Sequence, residues 1–133
     1  MANRLIIPIN LDNAHWALAV VDPTLREIKY YDSYHYDGRM VMKSILDFLQ
    51  QEHHFSDLQF DSSSWKMQNV TNIPLQTDGS SCGPMMILAA ECIGLGKPFS
   101  FTQNDVLKIR KKIQYILITE AISDPYIYNF HEN

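Results

Sequence analysis

The amino-acid sequence predicts an α+β domain, and three observations carry that prediction. Short β-type segments with close turns fill the first 32 residues, helical periodicity dominates from residue 39, and a nearly continuous apolar run follows residue 84. The chain has 133 residues, of which 46% are hydrophobic and 20% charged, as in ordinary globular domains. We therefore expect one domain, an antiparallel sheet packed against a buried helix.

The first three strands are short and follow one another closely. Residues 4–11 form an apolar segment that ends at the turn Asp12–Asn13. Residues 15–22 (HWALAVVD) form a second apolar segment, which Asp22–Pro23 ends. Residues 27–32 (EIKYYD) alternate polar and apolar side chains, as a half-buried strand does. Such short connections favour antiparallel pairing of all three strands.

The middle of the chain combines a helix with a weaker strand pattern. Apolar side chains recur at helical spacing over residues 39–51, which predicts an amphipathic helix. The polar residues 56–64 are typical of a loop, and residues 65–70 predict a fourth strand, with Trp65 in the core.

Two further helices follow. The apolar run from Met85 to Ile93 predicts a buried central helix that ends at Gly94, with Ser80 or Ser81 as its cap and Pro84 in its first turn. A last helix is expected after residue 102, because Thr102 and Asp105 have the spacing of a capping box.

Composition and charge argue against several classes of function. A formal net charge of −4 gives no support for non-specific nucleic-acid binding. No apolar run reaches the roughly 18 residues that a membrane-spanning helix needs, and residues 1–4 lack the layout of a signal peptide. We expect an intracellular protein, in the nucleus and/or cytoplasm, that binds neither nucleic acid nor membrane.

Cys82 is the strongest candidate for chemistry. It lies where a loop becomes a helix, and the unpaired amides and partial positive charge of a helix N-terminus favour a thiolate. Gly79 and Gly83 leave the backbone beside it bare, so that with Ser81 they are candidates to contact a substrate chain. The alternative is that Cys82 is simply a small buried side chain.

The second cysteine, Cys92, is expected to be inert core. Ten helical residues at ~1.5 Å each separate it from Cys82 by roughly 15 Å, about twice the span of a disulfide. Both thiols are therefore predicted to be free, as in a reducing compartment.

A nucleophilic cysteine needs a base and a group that orients the base. His15 begins one predicted strand and Asp32 ends the next, so antiparallel pairing would bring imidazole and carboxylate to the same sheet edge. The alternatives are a surface or capping histidine and an ordinary strand-end aspartate. Asp37 is a competing orienter that lies farther along, in an expected loop.

Two more residues could assist the reaction. Gln76 could donate from its amide to the oxyanion of the attacked carbonyl, although an ordinary loop glutamine is the simpler interpretation. Trp16 faces away from His15 across the strand and is either core or the roof of a substrate channel. The remaining histidines receive no role, and no cluster has metal-ligand spacing, so we expect no cofactor.

The segments HWALAVVD (residues 15–22), YYDS (residues 30–33) and PLQTDGSSCG (residues 74–83) together resemble the sentrin/SUMO-specific protease family, which has a papain-like fold. The run PFSFTQNDVLKIRKKI (residues 98–113) is similar to the family's last helix and its entry. The resemblance covers about residues 5–122.

By position, the resemblance implies a role for five residues. The family's histidine, aspartate and cysteine correspond to His15, Asp32 and Cys82, its oxyanion glutamine to Gln76 and its tunnel-lining tryptophan to Trp16. The implied activity is cleavage after the C-terminal Gly-Gly of SUMO or another ubiquitin-like modifier, at a peptide or isopeptide bond, and the implied partners are that modifier and its conjugates.

The family usually carries an additional N-terminal portion, so residues 1–122 are expected to be the catalytic core without it, and residues 123–133 a tail. Three alternatives to a SUMO protease remain at this point. They are a deubiquitinase, an acetyltransferase related to bacterial effectors, and a catalytically impaired module that binds a modifier.

Overall fold

A computed structural model describes residues 4–53 and 60–119 of the chain. These residues form a four-stranded sheet with helices on both of its faces, which confirms the predicted α+β class. The elements in chain order are β1 (Leu5–Leu11), β2 (His15–Asp22), β3 (Glu27–Tyr31), α1 (Arg39–His53), β4 (Lys66–Val70), α2 (Cys82–Leu95) and α3 (Val106–Thr119).

The strands lie in the order β1-β2-β3-β4. The first three pair antiparallel as predicted, with Leu11 opposite His15 and Leu18 opposite Tyr31. The sheet is not antiparallel throughout, because β4, for which the sequence analysis predicted no partner, pairs parallel to β3. Helix α1 forms the crossover between these two strands, and such a crossover is what parallel neighbours require.

Each face of the sheet has its own apolar core. Helix α1 covers one face, where Met42 packs with Ala17 and Tyr30, and Trp65 is partly buried in the same cluster. Helices α2 and α3 cover the other face, where Leu88 and Ile109 are fully buried. Because side chains of a strand alternate between faces, β2 contributes to both cores.

The central helix is longer than the sequence predicted. Gly94 lies inside α2, which continues to Leu95, so the prediction of an end at Gly94 is wrong. The helix ends at Gly96, whose φ of 64° is left-handed and whose amide reaches the carbonyls of Cys92 and Ile93. A left-handed residue at a helix end favours glycine, and the second glycine of the Gly-Leu-Gly segment meets that need.

The approach to α3 follows the capping-box prediction. The Asp105 carboxylate accepts from the Thr102 amide at 2.9 Å and the Thr102 hydroxyl at 3.0 Å, and a 3₁₀ turn, Gln103–Asp105, leads into the helix. A second 3₁₀ turn, Ser62–Ser64, occupies the described end of the predicted 56–64 loop. Residues 56–59 of that loop, His54 and the predicted tail at residues 123–133 lie outside the described residues.

Within the described ranges, none of the helices is both long and apolar enough to cross a membrane.

Gly38 occupies a position that tolerates no side chain. A Cβ there would come within 2.1 Å of the Tyr30 ring, which is 1% exposed and packed in the core under α1. The Gly38 amide also donates to Asn69 Oδ1 at 2.9 Å, and its carbonyl accepts from Met42. The turn before α1 is thus fixed directly against the ring of Tyr30.

Gly38→Ala should destabilise the protein by about 1–3 kcal/mol, because the buried Tyr30 ring has to move. Gly79→Ala is the matched control, since no atom lies within 4 Å of the Cβ position at Gly79. Urea unfolding of the two variants measures the difference. Equal unfolding midpoints would contradict the close approach at Gly38.

Candidate active site

The structure brings His15 and Asp32 into direct contact. His15 opens β2 and Asp32 follows the last residue of β3, and antiparallel pairing sets both at one edge of the sheet. His15 Nε2 lies 2.9 Å from Asp32 Oδ2, and the two side chains are 13% and 1% exposed. Since Nε2 faces the carboxylate, Nδ1 is the nitrogen left to exchange a proton elsewhere.

Asp32 accepts two further hydrogen bonds. The Tyr30 hydroxyl donates to Oδ2 at 3.2 Å and the Tyr34 amide donates to Oδ1 at 2.7 Å. Burial, reinforced by the charge of Asp32 and the hydrogen bond to it, raises the pKa of Tyr30 well above its ordinary value, so the phenol stays a donor. The Asp32 carboxylate therefore has three hydrogen-bond partners, namely His15, Tyr30 and Tyr34.

Cys82 is the first residue of α2 and is 8% exposed. Of the amides in the first turn, Pro84 has none and that of Met85 donates to the Ser81 carbonyl at 3.0 Å. The amides of Cys82 and Gly83 remain for a bound oxyanion. The hydrogen bonds of the described residues include none between Cys82 and His15, as is common in catalytic pairs without substrate.

Gln76 is only 3% exposed, and both the oxygen and the nitrogen of its side-chain amide have hydrogen-bond partners. Its Oε1 accepts from the Ser33 hydroxyl at 2.7 Å, and its backbone amide donates to the Ser33 carbonyl at 2.7 Å. Its Nε2 has acceptors in the Asp78 carbonyl at 2.7 Å, the Tyr34 hydroxyl at 3.1 Å and Asp78 Oδ1 at 3.3 Å. The two hydrogens of Nε2 are thus shared among three acceptors. One hydrogen must leave its present acceptor if Nε2 is to donate to an oxyanion.

Asp78 organises the loop before the nucleophile. Its carboxylate accepts from the amides of Ser80 and Ser81 and from the Ser81 hydroxyl, the last at 2.5 Å. Gln103 Nε2 adds a bond of 2.9 Å to Oδ2, and Arg110 Nη2 donates to the Ser80 carbonyl at 2.5 Å. Side chains from α3 and from the turn that precedes it therefore hold the loop by hydrogen bonds.

The candidate substrate-contacting residues differ in what they offer. Trp16 is 40% exposed, and Gly83 lies beside it, since a Cβ on Gly83 would be 3.7 Å from Trp16 Cδ1. Gly79 borders open space. Ser81 holds the cap position without a capping bond from its side chain, which is committed to Asp78, so only its backbone is available to a substrate.

Tyr34 and Asp78 are part of the site although the sequence analysis gave them no role. The Tyr34 ring stacks on the His15 ring at 5.3 Å, and its hydroxyl donates to the Asp78 carbonyl. One signal could have found Tyr34: continuing the Leu18–Tyr31 register past the end of β3 sets Tyr34 opposite His15.

Comparison with known proteins identifies the family of the chain. A model of the Ulp1 protease family, C-terminal catalytic domain, matches residues 2–124. The chain belongs to this family. Sentrin-specific protease 3, of human and of mouse, is 37% identical over 109 residues, which are 82% of this chain and 19% of that protein. Human sentrin-specific protease 2 is 30% identical over 121 residues, 89% of this chain and 20% of that protein.

Solved structures of the Ulp1 family have the same fold. The C-terminal Ulp1 protease domain in complex with Smt3, the yeast ortholog of SUMO, matches with a TM-score of 0.70 at 26% identity. The Chaetomium thermophilum Ulp1-like SUMO protease catalytic domain matches with a TM-score of 0.76 at 26% identity. The match covers 89% of this chain and 53% of the yeast domain in the first case. In the second case it covers 91% of this chain and 47% of the Chaetomium thermophilum domain. The chain thus spans about half of these solved domains and a fifth of the curated relatives.

The second cysteine, Cys92, and the competing orienter, Asp37, are not placed to take part in the reaction. Burial and the neighbouring Glu91 raise the pKa of Cys92, and both cysteines are free thiols, as predicted. The Asp37 carboxylate pairs with Arg39 at 2.7 Å and not with His15. Among residues 4–53 and 60–119, no group of His, Cys, Asp and Glu side chains could hold a metal ion.

Asp78→Asn should lower stability at neutral pH, with an effect that shrinks on acidification. The Ser81 hydroxyl and the Ser80 amide hold the pKa of Asp78 below its ordinary value. A folded-state pKa below the unfolded one means that the stabilisation is complete above about pH 4 and is lost as pH falls through the folded value. Urea unfolding at pH 7 and near pH 3 tests this, and a difference independent of pH would contradict it.

Proposed function

We propose that this chain is the catalytic core of a cysteine peptidase that cleaves after the C-terminal Gly-Gly of a ubiquitin-like modifier, SUMO in particular. The observation that carries the proposal is the contact between His15 and the buried Asp32, in a chain of the Ulp1 family whose Cys82 opens a helix. We assign Cys82 as nucleophile, His15 as base and Asp32 as the group that orients the base.

The first half of the reaction forms a thioester. The Cys82 thiolate attacks the carbonyl carbon of the terminal glycine, and His15 Nδ1 gives its proton to the leaving amine as the C–N bond breaks. Asp32 holds Nε2 and stabilises the imidazolium that exists before this transfer. In the second half His15 takes a proton from water, which attacks the thioester and releases Cys82 and the modifier carboxylate.

Charge develops on the carbonyl oxygen during both halves. The Cys82 amide is one donor for it, and Gln76 Nε2 is the second once one of its two hydrogens turns from its present acceptors towards the oxyanion. One donor of this kind contributes about 2.7–4 kcal/mol to transition-state stabilisation. The bonds from Ser33 and to the Asp78 carbonyl keep the amide close to this orientation.

A glycine-only tail suits the space beside Cys82. The Trp16 side chain lies against Gly83, and Gly79 borders open space, so an extended chain without side chains can approach the thiol. We assign Trp16, Gly79, Gly83 and the Ser81 backbone to contacts with that tail.

SUMO is the favoured modifier because similar proteins of known structure bind or cleave it. One similar Ulp1 domain was solved with the yeast ortholog of SUMO, and another similar structure is a Ulp1-like SUMO protease catalytic domain. We infer that SUMO and its conjugates are the partners, and that the protein acts in the nucleus and/or cytoplasm, where its two thiols stay free. The family membership does not favour an acetyltransferase or a purely modifier-binding module.

A panel of Gly-Gly electrophile probes, built on SUMO, ubiquitin and other ubiquitin-like modifiers, should give a covalent adduct with the SUMO probe. Cys82→Ala should abolish labelling, whereas Cys92→Ala should retain it because that thiol is buried with a raised pKa. Intact-protein mass spectrometry measures the adduct.

Labelling that survives Cys82→Ala but not Cys92→Ala would overturn the choice of nucleophile. Folded protein that binds SUMO without reacting would favour the modifier-binding module, and a preference for the ubiquitin probe would favour a deubiquitinase.

Asp32→Asn should lower the single-turnover rate of hydrolysis by two orders of magnitude or more, because the imidazole loses its charged partner. Asp37→Asn is the matched control and should change the rate by less than twofold, since Asp37 pairs with Arg39 and Asn69 at the surface. Equal rates in the two variants would refute the orienting role of Asp32.

A further inference from the structure

Tyr34 touches both halves of the candidate active site. Its amide donates to Asp32, and its ring stacks on the His15 imidazole with an interplanar angle of 29°. Its hydroxyl accepts from Gln76 Nε2 at 3.1 Å and donates to the Asp78 carbonyl. No other described side chain contacts the base and also hydrogen-bonds to both Gln76 and Asp78.

The ring and the hydroxyl of Tyr34 act on different partners. The ring covers one face of the His15 imidazole at a centroid distance of 5.3 Å, which limits rotation of the imidazole away from Asp32. The hydroxyl binds only the segment before the nucleophile.

We propose that Tyr34 is a positioning residue that sets the His15 imidazole through its ring and the Gln76 amide through its hydroxyl, and so couples the base to the oxyanion donor. This inference rests on the proposed peptidase function and extends it to a residue outside the His15–Asp32–Cys82 set.

The surroundings of Tyr34 fit a permanent hydrogen-bond donor. Burial, together with the neighbouring acidic groups, raises the pKa of its phenol, which therefore remains protonated at neutral pH. The titratable groups that surround the stacked pair, directly or through Tyr34, are Asp32, Tyr36, Asp78 and Cys82.

Two substitutions separate the two contacts. Tyr34→Phe keeps the stacked ring and removes the hydroxyl, and Tyr34→Leu removes both. Tyr115→Phe is the matched control, because Tyr115 is exposed on α3. All variants carry Cys92→Ala, so that Cys82 is the only cysteine present.

The first readout is alkylation of Cys82 by iodoacetamide as a function of pH, which needs no modifier. Loss of the stacked ring frees the imidazole to turn away from Asp32, so Tyr34→Leu should alkylate more slowly near neutral pH, while Tyr34→Phe should follow the unsubstituted profile. Overlapping profiles for Tyr34→Leu and Tyr115→Phe would overturn the role of the ring.

The second readout is single-turnover cleavage of a SUMO C-terminal fusion. Tyr34→Phe removes the bond that holds Gln76 Nε2, together with the bond to the Asp78 carbonyl, and should lower the rate about three- to tenfold with an unchanged KM. A rate equal to that of Tyr115→Phe would overturn the role of the hydroxyl. If the unsubstituted protein does not cleave, the proposed function fails, and the alkylation profiles still decide the role of the ring.

Discussion

The buried carboxylate of Asp32 is the constraint on which the geometry of the site depends. At 2% exposure it has lost most of its hydration, and a charge in that position is stable only where donors replace the water. The donors come from His15 on β2, Tyr30 on β3 and the Tyr34 amide in the turn that follows. Strand register and base orientation are therefore set by the same contacts, and neither can change without the other.

The nucleophile is held by a different kind of support. Helix α2 is anchored by apolar packing on β2, which fixes its axis but not the path of the loop that leads into it. That path is fixed by polar contacts, with the Asp78 carboxylate inside the loop and Gln103 and Arg110 outside it. Cys82 lies where the two supports meet, because it is the end of the loop and the first residue of the helix.

Local patterns explain which parts could be predicted from the sequence. Strand β2 has the predicted bounds because its apolar run is enclosed by clear turn signals, and the His15–Asp32 pair follows from antiparallel hairpin geometry. The end of α2 was misplaced because a glycine inside a helix and a glycine ending it look alike until the backbone φ is known. The direction of β4 was not predicted, since its five residues are too weakly apolar to identify a partner strand.

The contacts missed by sequence reasoning join residues far apart in the chain. Tyr34 and Asp78 are 44 positions apart and Gln103 is 25 positions from Asp78, so no local pattern records that they meet. Only the folded arrangement reveals that the turn after β3 and the start of α3 enclose the same loop.

This difference in separation also decides how much of the domain each part of the site requires. His15 and Asp32 are 17 positions apart within one hairpin, so their contact closes a short loop at low entropic cost. The bond from Arg110 to Ser80 joins residues 30 positions apart and cannot form until α3 is in place. The contact between base and carboxylate is therefore local to one hairpin, whereas the loop that leads to Cys82 is fully held only once α3 has docked.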